Sequence, residues 1–151
     1  MKRFLTVALP VLVVLFALPG CGGGDELSRM TRAVGVDLSA GTLVEFEDTH
    51  GGFHGDGHTT AVVELGGLEE ELAGAPGWKP LPMSENAEQA LRLCWKEAVL
   101  PGEGFYYLYD RHSQSDDPYD DTALHSRASW NFTIAVYDSQ SGWLYYYQLD
   151  T

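Results

Sequence analysis

The chain has 151 residues and carries nine Lys/Arg against 22 Asp/Glu, a formal charge of −13. Such a surface repels nucleic acid and anionic lipid, because gripping phosphates takes Lys and Arg that displace counterions. Cations, basic proteins and peptides are the electrostatically compatible partners, and acidity alone also keeps an exported domain soluble.

The N-terminus decides the address. Lys2 and Arg3 make a positive start, and residues 4–18 hold no charge. That apolar stretch is shorter than the roughly 20 residues a membrane-spanning helix needs, and Pro10 interrupts it. Both features fit the core of a signal peptide. The stretch ends in Leu18, Pro19, Gly20 and Cys21, which resembles the bacterial lipobox. The resemblance implies that Cys21 takes a thioether-linked diacylglycerol and that residues 1–20 are cut away. Acyl chains contribute about 0.8 kcal/mol per buried CH₂, enough together to hold a protein on a membrane without a spanning helix. Gly22, Gly23 and Gly24 read as a flexible tether within residues 21–25, leaving residues 26–151 as one domain. Loss of Lys2 and Arg3 leaves seven basic residues against 22 acidic ones, a charge of −15. With Cys21 lipidated, Cys94 is the only other cysteine and no internal disulfide is possible. Stability must come from a packed core.

Residues 26–34 place Leu27, Met30 and Val34 on one helical side, with Gly35 as the stop. Residues 42–47 alternate as a strand, and residues 59–65 read as a second, so the glycine-dense stretch between them is a long hairpin loop. Residues 68–73 suit a short acidic helix, and residues 77–82 a proline-punctuated connector from which Trp78 and Leu81 reach the core. Ser84 is a good N-cap for a helix whose apolar stripe runs through Ala87, Ala90, Leu91, Cys94, Trp95 and Ala98, until Pro101 and Gly102 stop it. Cys94 then falls in the middle of that stripe as a core residue. Residues 105–109 form an aromatic strand, and residues 130–137 and 143–149 alternate around a turn at 139–142 as an antiparallel hairpin. The expected fold is a two-layer α+β domain: an antiparallel sheet of about five strands with two or three helices packed on one face.

One loop carries candidate chemistry. It runs from Asp48 to His58 and holds His50, His54, His58 and Asp56, three of the five histidines of the chain. Imidazole and carboxylate suit a divalent ion such as Zn²⁺, Ni²⁺ or Cu²⁺, and glycines let a tight loop converge its side chains. The same glycines make a helix that would align the histidines improbable. Read structurally, Asp48 and Asp56 cap turn N–H groups and Phe53 folds onto the core, and this hairpin reading leads. The string DTHGGFHGDG from Asp48, with WKPLP from Trp78, resembles a family of small lipoproteins of Gram-positive, Clostridia-like bacteria. That resemblance implies a membrane-attached extracytoplasmic domain and brings no activity, ligand or catalytic residue with it.

Asp116, Asp117, Asp120 and Asp121 lack the alternating oxygens of a calcium loop and read as a solvated acidic turn. The tyrosines at 106, 107, 109, 145, 146 and 147 divide by alternation between the core and a possible stacking face for glycans or peptides. No nucleophile elbow, zinc-protease or phosphate-loop motif occurs. The functional expectation is a lipid-anchored extracytoplasmic binding module with a protein, peptide or glycan ligand and no nucleic acid. The alternative is a metal-binding domain or metal-dependent hydrolase built on Asp48, His50, His54 and Asp56. An inhibitor of a basic partner enzyme also fits the charge and size.

Overall fold

The computed structural model describes residues 23–51 and 55–151; Cys21, the expected signal peptide before it and, in the hairpin loop, Phe53 and His54 lie outside the described residues. Helix α1, Gly23–Val34, buries Leu27, Met30 and Val34, as its apolar spacing predicts. Asp25 and Glu26 in its first turn and Arg32 in its last oppose the helix dipole favourably. Gly35, at φ 72°, ends it. The helix starts at Gly23, earlier than the apolar spacing from Glu26 predicts.

Six strands follow: β1 Thr42–Asp48, β2 Gly57–Glu64, β3 Trp78–Pro80, β4 Gly104–Asp110, β5 Phe132–Asp138 and β6 Trp143–Asp150. They form one open antiparallel sheet in the order β1-β2-β6-β5-β4-β3. Two shorter helices, α2 Glu69–Gly74 and α3 Glu85–Cys94, and a single 3₁₀ turn at Leu124–Ser126 complete the fold. The antiparallel α+β class is as the sequence predicts. The sixth strand is the stretch read as a connector: Trp78, Lys79 and Pro80 pair with Tyr107, Tyr106 and Phe105. Its proline is tolerated because β3 is an edge strand with no neighbour beyond it.

The helices differ from expectation in covering both faces of the sheet. α1 and α2 press Met30, Val34 and Leu72 onto Ala61, Val63, Ala135, Tyr137, Leu144 and Tyr146. α3 and the 3₁₀ turn press Ala87, Ala90, Leu91 and Leu124 onto Tyr106, Leu108, Phe132, Ile134, Val136 and Tyr147. The cause is visible in β5, whose residues from Phe132 to Tyr137 are all buried and therefore need cover on both sides. α3 begins where Ser84 accepts a hydrogen bond from the Ala87 N–H, but it ends at Cys94, four residues before the apolar stripe runs out at Ala98. Trp95 caps it and turns back onto Tyr147, with ring centroids 6.3 Å apart. Among the described residues, no helix is long and apolar enough to cross a membrane.

A core divided between two faces makes a specific demand. Leu72→Ala on α2 and Ile134→Ala under α3 should each cost about 2–5 kcal/mol in urea denaturation, since both side chains are fully buried. A single-faced core would lose that much at only one of them.

Candidate functional site

Side chains alternate along a strand, so antiparallel register lines up one residue from each strand on the same face. On the α1 face, Tyr109 of β4 pairs with Thr133 of β5, which pairs with Gln148 of β6. Gln148 pairs with Thr59 of β2, and Thr59 with Asp48 of β1. This polar row crosses five strands, about 19 Å at normal strand spacing. It lies beside the apolar row of Tyr107, Ala135, Tyr146 and Ala61, which α1 covers. Arg29 reaches over it from α1, and Arg111 approaches from the residue after β4.

At the Asp48 end a cavity of about 200 Å³ holds a chain in which nitrogen groups and carboxylates alternate. Arg29 Nη2 lies 3.0 Å from Asp48 Oδ2, and Asp48 Oδ1 lies 2.7 Å from His50 Nδ1. His50 Nε2 lies 3.1 Å from Asp150 Oδ2, and Asp150 Oδ1 lies 2.5 Å from Arg111 Nη2. His50 thus bridges the two carboxylates, one ring nitrogen on Asp48 and the other on Asp150. Gln148 Nε2 donates to Asp150 Oδ2 at 2.8 Å, and the Tyr146 hydroxyl donates to Gln148 Oε1 at 2.7 Å. Burial pushes the Tyr146 phenol up to about 12, so it remains a donor.

The hairpin loop is built to deliver His50. The Thr49 N–H donates to the His58 carbonyl, and the His58 N–H donates to Thr49 Oγ1, both at 2.9 Å. The His50 N–H donates to its near neighbour Asp48 Oδ1 at 3.0 Å, the Asx turn expected of that aspartate. Gly57 permits this crossing: a Cβ there would stand 2.8 Å from the His50 nitrogen.

Of the residues the sequence singles out, Asp48 and His50 meet in this cavity. His58 does not join them. It lies on the other face of the sheet, stacked on Tyr147 with ring centroids 5.9 Å apart. Asp56 is exposed on the loop, and His54, like Cys21, lies outside the described residues. Among the described residues, no group of three His, Cys, Asp or Glu side chains is arranged to hold a metal ion. His50 instead turns its two nitrogens toward two different carboxylates. Asp150, Gln148, Arg29 and Arg111 escape a reading of the sequence, because only the strand register and the seating of α1 bring them to the loop.

From Arg29 and Gln148 the cavity continues into a groove of about 710 Å³ between α1 and the segment after β4. Its walls are fixed. The Tyr107 hydroxyl donates to the Ala33 carbonyl at 3.0 Å, and Trp78 Nε1 donates to the Val34 carbonyl at 2.9 Å, holding the end of α1 to the sheet. Arg111 Nη1 donates to Thr133 Oγ1 at 2.8 Å. Behind it, Asp110 is buried and accepts from Arg127 Nη2 at 2.6 Å, tying down the segment 111–127 that carries Arg111 and Tyr119. In the acidic turn, Asp117 and Asp120 accept N–H bonds from Tyr119 and Thr122, each two residues on.

Burial alone would raise the Asp48 carboxyl, but the His50 N–H, the His50 ring and the Arg29 guanidinium outweigh it and hold it at about 2. Asp150 is likewise lowered: burial opposes, and Gln148, Arg111 and His50 prevail. Both carboxyls titrate below their unfolded values, so their stabilisation is complete above about pH 4 and is lost as pH falls through the folded values. Thermal melts should therefore show stability falling from about pH 4 toward about pH 2. Asp48→Asn should melt lower at neutral pH and show a flatter acid limb. Arg127→Ala should cost about 3–5 kcal/mol in urea denaturation, because it strands the buried Asp110 carboxylate.

No protein-family model, no curated protein and no solved structure matches the chain.

Proposed function

We propose that this protein is a binding module, tethered by lipid at Cys21 to the extracytoplasmic face of the cell membrane, that holds its ligand in the trough under α1 without turning it over. The positive start, the uncharged residues 4–18 and the lipobox-like Leu18 to Cys21 support the address. So does the resemblance of the DTHGGFHGDG segment to that of small Gram-positive lipoproteins.

The polar row from Tyr109 to Asp48 carries the binding reading. Polar side chains from α1, the β1–β2 loop, β6 and the segment after β4 converge there on one concavity, in the manner of ligand sites of about 300–1,000 Å³. Their partners are already in place, so the wall is preorganised, which lowers the cost of binding. The groups that could do chemistry are engaged by one another. His50 Nε2, where a general base would meet a nucleophile, faces Asp150 instead.

The second reading is a hydrolase, metal-dependent or not, and one contact favours it: the 2.7 Å Asp48–His50 pair orients the ring as an Asp–His dyad does. Catalysis would require Asp150 to yield Nε2, or His54 to complete a metal set with Asp48 and His50.

The two readings separate in one experiment on the full chain in detergent. A library of cell-surface peptides, oligosaccharides and metabolites is screened by NMR for shifts at Gln148 and Asp150, with product formation followed in parallel. A ligand that shifts both without turnover supports the module. Product formation that is lost in His50→Ala, or stoichiometric metal in the purified chain by elemental analysis, overturns it in favour of the hydrolase. In cells, Cys21→Ser should move the protein from the membrane fraction to the soluble one.

A further inference from the structure

The groove beside the polar row reverses the charge of the protein. The chain is strongly acidic, at −13, yet the charged side chains lining this groove among the described residues are Arg29, Arg32 and Arg111, with no Asp or Glu. Arg29 spends Nη2 on Asp48, and Arg111 spends Nη1 and Nη2 on Thr133, Leu149 and Asp150. Arg32 stands exposed at the groove edge with no ion-pair partner among the described residues, as a surplus positive charge. An acidic protein that gathers guanidinium groups at one concavity attracts an anion there, because a cleft focuses the local field. Planar guanidinium also matches the two oxygens of a carboxylate or phosphate.

The rest of the lining describes what the anion is attached to. Tyr107, Tyr109 and Tyr119 stand together, Tyr119 meeting Tyr109 edge-on at 5.7 Å and Tyr107 at 5.9 Å. Gly77 makes room for this ring, since a Cβ there would come within 2.3 Å of it. Beside the rings, Thr133 and Gln148 offer a hydroxyl and an amide along the floor. Aromatic surface next to hydrogen-bonding polar groups suits a sugar ring, which presents a C–H face to tyrosine and hydroxyls to amides and alcohols. The volume of about 710 Å³ accommodates a short oligosaccharide.

We infer that the groove between α1 and Tyr119 is a subsite for an anionic sugar, with Arg32 and Arg29 holding its carboxylate or phosphate and Tyr109 and Tyr119 its ring. The inference rests on the binding-module reading and specifies its ligand.

The test is calorimetric titration of the full chain in detergent with trigalacturonate, glucose 6-phosphate and neutral maltotriose, at low and high salt. At least one anionic probe should bind, with maltotriose at least tenfold weaker and added salt weakening the anionic probe. Binding by trigalacturonate or by glucose 6-phosphate identifies the anionic group as carboxylate or phosphate. Arg32→Glu should weaken that probe at least tenfold and Arg32→Lys less. Arg92→Glu, the same charge reversal on the exposed surface of α3, should leave it unchanged. The assignment is overturned if neither anionic probe binds, if maltotriose binds as well, or if Arg92→Glu weakens binding as much as Arg32→Glu. If the anionic probes fail while another ligand shifts Gln148 and Asp150 in the library screen, the anionic-sugar subsite falls and the binding module stands. If no ligand shifts them, both fall.

Discussion

The architecture depends on β5. Its residues from Phe132 to Tyr137 are buried without interruption, so neither face of the central sheet can be left to water. α1 and α2 close one face and α3 with the 3₁₀ turn at Leu124 the other. That double cover fixes where a cleft can form. α1 lies over the apolar row through Tyr146 and Ala61, and the next row, Tyr109 to Asp48, emerges from its edge. A polar row at the margin of a helix layer is partly desolvated but still reachable, the condition under which hydrogen bonds and charges discriminate between ligands.

Electrostatics then divides the trough in two. At the Asp48 end, nitrogen groups and carboxylates alternate from Arg29 through Asp48, His50 and Asp150 to Arg111, with Arg29 balancing Asp48 and Arg111 balancing Asp150. Charges balanced in this way act as a scaffold. They hold the hairpin loop, the C-terminal strand and α1 in one arrangement, and they depress the Asp48 and Asp150 carboxyls. At the other end Arg32 has no ion-pair partner among the described residues, and the tyrosines supply surface instead of charge. The positive groove is set in an otherwise acidic molecule.

Much of the fold was legible in advance, because it rests on periodicity. The stripes of α1 and α3, the cap at Ser84 and the hairpin of β5 and β6 repeat at the spacing of their own backbone. The departures have local causes. Trp78 to Pro80 is too short and too proline-rich to register as a strand, and it is one only because β4 offers a free edge. The stripe of α3 continues past Cys94, but Trp95 leaves the helix, stacks on Tyr147 and packs at a tilt against Tyr145. The second helix layer was hidden because period-2 alternation identifies two faces without saying what covers each.

The candidate site was legible in part, and its two halves differ in kind. The sequence by itself determined the composition of the hairpin loop, the Asx turn of Asp48 with His50 and the glycine that lets the loop cross itself, all interactions between near neighbours. It also determined the acidic balance. Only the tertiary structure decided that His50 faces Asp150, a hundred residues away, and that His58 points to the opposite side. The same holds for the gathering of Arg29, Arg32 and Arg111 around three tyrosines. Such meetings depend on strand register and on where a helix comes to rest. Both are set by burial summed over the whole sheet, so no local stretch of sequence encodes them.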